Sequence, residues 1–191
     1  DKFPPQKSLL RLQNMKIIRV IALDPVLRLE FHPDSALVLQ GRPLFMPEEG
    51  EGWQAQICLA VKISRLGKNI SEKFAPRYYD GISFAMRLTL PSAPELASVI
   101  AGMDSGIVHG QWIAAAKVSA PMAVTAGGVE IRLAPQAAAI DRAISMISRY
   151  TTLKIGDLIL LPAADTMVPL EAPGRFGFTV DGVEILSQKL V

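Results

Sequence analysis

The chain has 191 residues, half of them hydrophobic, with 20 Lys and Arg against 18 Asp and Glu and a formal net charge of +2. That length supports one domain with a sizeable core, and the composition is that of an ordinary globular protein, neither disordered nor fibrous. Basic residues are dispersed rather than interleaved with aromatics, against a nucleic-acid footprint; no apolar run reaches the roughly 18–20 residues that span a bilayer; the lone Cys58 leaves no internal disulfide and suits a reducing, cytoplasmic compartment.

Asp1–Asn14 lacks the apolar centre and small-residue cleavage site of a secretory leader. Met15-Lys16-Ile17-Ile18 reads as a start, so residues 1–14 are expected to be an extension and residues 15–191 a single domain. Lys16–Leu23 is largely β-branched and predicts a strand that Asp24-Pro25 breaks. Val26–Phe31 predicts a second strand, closed by the turn His32-Pro33-Asp34-Ser35. Short extended pieces at Ala36–Leu39 and Leu44–Met46 flank the turn Gln40-Gly41-Arg42-Pro43, and an acidic loop carries Glu48, Glu49 and Glu51.

Trp53, Ala55, Ile57, Leu59, Val61 and Ile63 then alternate with Gln54, Gln56, Cys58, Ala60 and Lys62, the period of a half-buried strand. Gly67 supplies a turn, and a short helix is expected either from an N-cap at Ser71 or beginning at Pro76 and running to Asp80, with Gly81 ending it. Ile82, Phe84, Met86, Leu88 and Leu90 form one face of the next strand and place Arg87 on the other. A short helix is expected around Glu95–Ala101, and Val108–Ala115 is ambiguous between strand and loop. Met122–Thr125 and Val129–Leu133 flank Ala126-Gly127-Gly128 as a hairpin. Ile140, Ala143, Ile144 and Ile147 give helical spacing over Gln136–Arg149. Leu158–Leu161 reads as a buried strand, and Phe176–Val180 with Val183–Leu186 forms a closing hairpin about Asp181-Gly182. Many short strands and few helices predict a β-rich α+β domain.

Four segments, in order, carry a resemblance: Pro33-Asp34-Ser35-Ala36-Leu37, Leu66-Gly67-Lys68-Asn69-Ile70, Ser119-Ala120-Pro121, and Ile147-Ser148-Arg149 running on to Leu153-Lys154-Ile155-Gly156-Asp157-Leu158-Ile159. From Met15 to Val191 the chain resembles the fumarylacetoacetate hydrolase family. The resemblance implies that family's mixed β-roll with few short helices, assembled as a homodimer. It also implies a chemistry, the hydrolysis, decarboxylation or isomerisation of dicarbonyl or keto acids around bound Mg²⁺, Mn²⁺ or Ca²⁺.

Such chemistry needs carboxylates around a hard cation, and here the sequence departs from the family. Its Glu-x-Glu strand motif stands as Gln54-Ala55-Gln56, and its third acidic ligand aligns with Arg87. A guanidinium about 4 Å from a divalent ion is repelled by roughly 8 kcal/mol at an effective dielectric of 20, more than two neutral amides offset. The family's His-x-x-Glu lid has no counterpart between Val20 and Val26. Its Arg-Asp pair is Pro91-Ser92, and its substrate-binding Thr-Gly-Thr-Pro is Leu161-Pro162-Ala163-Ala164. Its active-site lysine has no secure match, Lys117 being the nearest residue. The expectation is therefore a catalytically inactive homologue, without a metal cofactor, that acts by self-association, by association with an active relative or by binding a carboxylate. Gln54, Gln56, Arg87 and Lys117 are the ligand-binding candidates, and the alternative is a hydrolase, decarboxylase or isomerase with an altered site.

Plainer readings stand beside these. Gln54 and Gln56 fit the polar face of a strand, and Arg87 fits a surface ion pair with Glu48, Glu49 or Glu51. His32 fits a turn cap and Cys58 an inert buried thiol. His109 and Asp104 fit either an acid–base pair or a plain Gly-rich loop. No Gly-x-Ser-x-Gly elbow, phosphate-binding Gly-rich loop or Cys-x-x-Cys is present.

Overall fold

Gln54–Ile63 (β3) lies at the middle of the larger sheet. The computed structural model describes residues 15–39, 41–115, 121–133 and 136–191. Chain order gives β1 (Ile17–Ala22), β2 (Arg28–His32), β3, β4 (Tyr79–Thr89), α1 (Ala97–Gly102), β5 (Ile107–His109), β6 (Ile113–Ala114), β7 (Met122–Ala126), β8 (Val129–Leu133), α2 (Ala137–Tyr150), β9 (Leu158–Pro169), β10 (Gly174–Val180) and β11 (Val183–Leu190). Among the described residues the larger sheet runs β2-β1-β9-β3-β4-β5, with β6 also on β4, and the smaller runs β11-β10-β7-β8. Pairing is antiparallel except between β1 and β9, so the larger sheet is mixed. The architecture is the β-rich α+β type that the element pattern predicts.

The main core lies where the two sheets face each other. Ala55, Ile57, Leu59, Val61 and Ile63 from β3 and Phe84, Met86 and Leu88 from β4 meet Val124, Phe176 and Phe178 of the smaller sheet. The ring centroids of Phe84 and Phe178 are 6.2 Å apart, and Phe176 stands edge-on to Phe178 at 5.1 Å. The amphipathic helix α2 adds Ile140, Ala143, Ile144 and Ile147 to this core, as its spacing predicts.

The opposite face of the larger sheet is also buried, which alternation alone did not predict. Ile17, Ala36, Cys58, Ala60, Ala85, Ile107, Leu158 and Leu160 form a second, smaller core. Its central members are small, and small side chains let a sheet curl on its concave side. Curling brings the segment after β2 round to the far edge: Leu37 bridges Ile107, and the Val38 N–H donates to the Ile107 carbonyl at 2.8 Å. The larger sheet is thus rolled around its small residues, and β3 is covered on both faces.

Two of the segments that carry the resemblance meet each other. Ser148 Oγ accepts the Ile70 N–H at 2.9 Å, and the Ser148 carbonyl accepts the Asn69 N–H at 2.9 Å. Gly67 exchanges backbone hydrogen bonds with Leu153 at 3.0 and 2.8 Å. A Cβ at Gly67 would lie 2.8 Å from Ile70 Cδ1 and closer still to the Tyr78 ring, so only glycine fits. Asp157, fully buried, accepts from the Lys16 N–H at 2.8 Å, Lys16 Nζ at 2.7 Å and the Lys154 N–H at 2.8 Å. It ties the start of β1 to the turn before β9.

Several elements differ from their sequence expectation. The helix expected after Ser71 is a 3₁₀ turn, Glu72–Arg77, because Pro76 lacks the N–H that would continue it as α. The helix expected at Glu95–Ala101 begins with the 3₁₀ turn Pro94–Leu96 before α1. Val108–Ala115 resolves into β5 and β6, both on β4. Strand β9 continues to Pro169, well beyond Leu161, because a register shift against β3 absorbs its irregular middle.

Candidate functional site

The register puts Gln56 directly opposite Arg87 on the neighbouring strand, on the concave face of the roll. Gln54 lies two residues earlier on that face, paired with Thr89, and is half-buried. The structure therefore brings three of the four predicted site residues together. The fourth, Lys117, and Ser119-Ala120 lie outside the described residues.

Arg87 does not form the surface ion pair suggested by the acidic loop. It is 5% exposed, whereas Glu48, Glu49 and Glu51 are all exposed. Arg87 Nη2 lies 2.9 Å from Oε1 of Glu30 on β2. The same oxygen receives Arg19 Nη1 at 3.4 Å and faces His32 Nε2 at 2.9 Å. Sequence reasoning passed over Arg19 and Glu30; pattern alone shows only that they sit on adjoining strands, and the register that opposes them is tertiary. His32 is not a turn cap. It closes β2, is buried, and its Nδ1 donates to the Ala101 carbonyl at 2.8 Å.

Electrostatics in this cluster follow from burial opposed by neighbours. Burial pushes the Glu30 carboxyl up, but the hydrogen bond from His32 and the charges of Arg87 and Arg19 outweigh it, leaving the group below the usual glutamate range. Burial likewise lowers the Arg87 guanidinium, against the opposing pull of Glu30. Two buried guanidinium nitrogens, Arg19 Nε and Arg87 Nε, and the amide oxygen Gln56 Oε1 have no hydrogen-bond partner among the described residues. Beside them Cys58 is 1% exposed, and burial pushes its thiol up to about 11, so it is an unreactive core residue.

These groups do not fit a divalent cation. Among the described residues there is no set of three His, Cys, Asp or Glu placed to hold one. The one carboxylate at hand, Glu30, is already surrounded by Arg19, Arg87 and His32, and the oxygen of Gln56 brings no charge. Glu30 pairs with Arg87, and Arg19 adds a second cation to the same carboxylate oxygen. What the described residues form is a cluster of paired charges with an additional cation.

His109 and Asp104 are not joined. His109 sits on β5, where its Nδ1 donates to the Gly110 carbonyl at 2.7 Å and its ring packs 4.7 Å from Trp112. Burial holds the imidazole below its usual range. Asp104 is exposed and lines a separate cleft with Asp34 and Ser35. No helix among the described residues is long and apolar enough to cross a membrane.

No family model matches the sequence, and no curated protein sequence matches it. Solved structures do match the fold. A protein of Yersinia pestis CO92 named for the fumarylacetoacetate hydrolase family is 22% identical, covering 93% of this chain and 92% of its own, with a TM-score of 0.74. The 5-carboxymethyl-2-hydroxymuconate delta-isomerase of Mycobacterium smegmatis is 18% identical over 94% of this chain and 79% of its own, with a TM-score of 0.79. The 2-hydroxyhepta-2,4-diene-1,7-dioate isomerase of Mycobacterium marinum is 20% identical over 94% and 75%, at 0.78. A rolled mixed sheet facing a smaller antiparallel one, matched over more than nine-tenths of this chain, is the fold of the fumarylacetoacetate hydrolase-family structures.

Proposed function

We propose that this chain is a non-catalytic protein on a fumarylacetoacetate hydrolase-type scaffold, working by association either as a homodimer or beside an active relative. One observation carries the reading: the strand positions facing the concave site hold Gln56 and Arg87, and the carboxylate within reach of them, Glu30, is enclosed by Arg19, Arg87 and His32. A metal-dependent hydrolase, decarboxylase or isomerase needs anionic ligands there. The reading includes the absence of a bound Mg²⁺, Mn²⁺ or Ca²⁺ cofactor. It includes a reducing, cytoplasmic setting, which the free, buried Cys58 suits.

Calorimetric titration with Mn²⁺, Mg²⁺ and Ca²⁺, with turnover assays on acylpyruvates and oxaloacetate, tests the reading. The expected outcome is no metal binding in the physiological range and no turnover, with sedimentation velocity reporting a dimer. Metal-dependent turnover that disappears in Gln54→Ala or Gln56→Ala overturns it in favour of an enzyme with an altered site. A second reading, binding of a small carboxylate at Gln54, Gln56 and Arg87, is favoured by one observation. The buried Nε–H groups of Arg19 and Arg87 have no acceptor among the described residues. Loss of keto-acid-induced thermal stabilisation in Arg87→Met checks it.

A further inference from the structure

A cleft of about 460 Å³ lies along the outer edge of β11, between it, β5, Val38 and residues 41–43. This edge is covered at both ends and open between. At one end the Ile185 carbonyl accepts the Gln111 N–H at 2.8 Å; at the other the Lys189 carbonyl accepts the Leu44 N–H at 2.9 Å. Ser187 lies midway. Its register partner Gly177 turns its carbonyl to the Gly127 N–H at 3.0 Å, so the two do not bond to each other and the Ser187 N–H points outward. That N–H has no partner among the described residues.

The charges around this opening are one-sided. Arg175 and Lys189 stand directly opposite each other in the β10–β11 register, an arrangement that repels. The Arg175 guanidinium does not turn away; it donates to Ser187 Oγ at 3.2 Å, which holds it over β11. Arg42 borders the same cleft, its backbone fixed by Gln188 Nε2 donating to the Arg42 carbonyl at 2.8 Å. Among the described residues none of these three cations makes an ion pair, and Glu184 is the sole acid lining the cleft. The rest of the lining is mixed, with Val38, Pro43, Val108 and Ile185 beside His109, Gln111 and Gln188.

The geometry points to a binding site for a small organic polycarboxylate, held by Arg42, Arg175, Lys189 and the Ser187 N–H against the apolar part of the lining. Three cations around one cavity match several carboxylates, and contact with a carbon skeleton is what those apolar side chains add over a bare inorganic anion. The site is separate from Arg87 and does not depend on whether the chain turns over a substrate.

Citrate is the probe, followed by isothermal titration and thermal shift on the full chain, with inorganic phosphate and sulfate in parallel. Citrate is expected to bind and raise the melting temperature by several degrees at saturation, with phosphate and sulfate at least tenfold weaker. Arg175→Gln and Lys189→Gln should each weaken citrate about tenfold or more. Glu184→Gln should tighten it several-fold. These surface substitutions are expected to keep the native circular dichroism, and Glu184→Gln gives an independent readout if one cation variant does not fold. No heat and no stabilisation at about 10 mM citrate overturns the proposal. So does an equal response to phosphate, or affinity indifferent to residues 175, 184 and 189.

Discussion

Arg87 Nη2 and Glu30 Oε1 are 2.9 Å apart although three strands lie between β4 and β2 in the sheet order. On a flat sheet four strand spacings would separate their backbones by about 19 Å. The contact exists because the sheet rolls, and it closes one end of the roll with charge.

Removing one member of this pair is expected to be worse than removing both. Glu30→Gln leaves Arg87 and Arg19 buried against each other and should destabilise the fold by about 2–4 kcal/mol. Adding Arg87→Met should recover more than about 1 kcal/mol of that loss, since an apolar chain needs no counter-charge. Urea unfolding of both singles and the double variant measures the coupling; simple additivity contradicts it.

The same carboxylate sets an acid dependence. Glu30 is held below its unfolded-state value, so the charged form binds the folded state better. Its contribution is fully present above the unfolded glutamate pKa and is lost as pH falls through the folded one. Urea midpoints taken from pH 7 down to about 3 should therefore drop more steeply for wild type than for Glu30→Gln, whose profile lacks this component. Parallel profiles would show that Glu30 is not the responsible group.

Asp157 is the other charge with a structural role. It is fully buried and accepts two backbone N–H groups and the Lys16 ammonium. Asp157→Ala leaves those donors unpaired and should destabilise by about 3 kcal/mol or more. Asp157→Asn, which keeps one acceptor oxygen, should lose less. Thermal melts of the two variants rank them, and equal losses would contradict the account.

Gln54→Glu/Gln56→Glu/Arg87→Asp restores three carboxylates on adjoining strands, and Mn²⁺ should then raise the melting temperature of the variant but not of wild type. A wild-type response equal to the variant's would show that the amides and guanidinium do not prevent ion binding.

The roll itself is open to test through its small residues. Ala85, directly opposite Cys58 in the register, is fully buried in the concave core. Ala85→Ile must push the strands apart and should destabilise by about 1–3 kcal/mol. On the other face, Phe178→Leu removes ring contacts with Phe84 and Phe176 and should lose a similar amount. An Ala85→Ile variant as stable as wild type would mean that the interior has spare room.

Local chemistry determined most of the elements by itself. Alternation placed β3 and β4, helical spacing placed α2, and Gly127-Gly128 and Asp181-Gly182 placed the two hairpins, because each signal is carried by neighbours in the chain. The segments around Gly67, Ser148 and Asp157, which carry the family resemblance, meet where close backbone approach and buried hydrogen bonds demand those residues. Periodicity also placed Gln56 and Arg87 on one face of their strands. It could not say that this face would be buried, since a polar strand face exposed to water and one rolled into a concave interior have the same alternation. Nor could it pair Arg87 with Glu30 or set Arg175 against Lys189. Those contacts depend on sheet curvature and cross-strand register, which arise only when distant strands pack together.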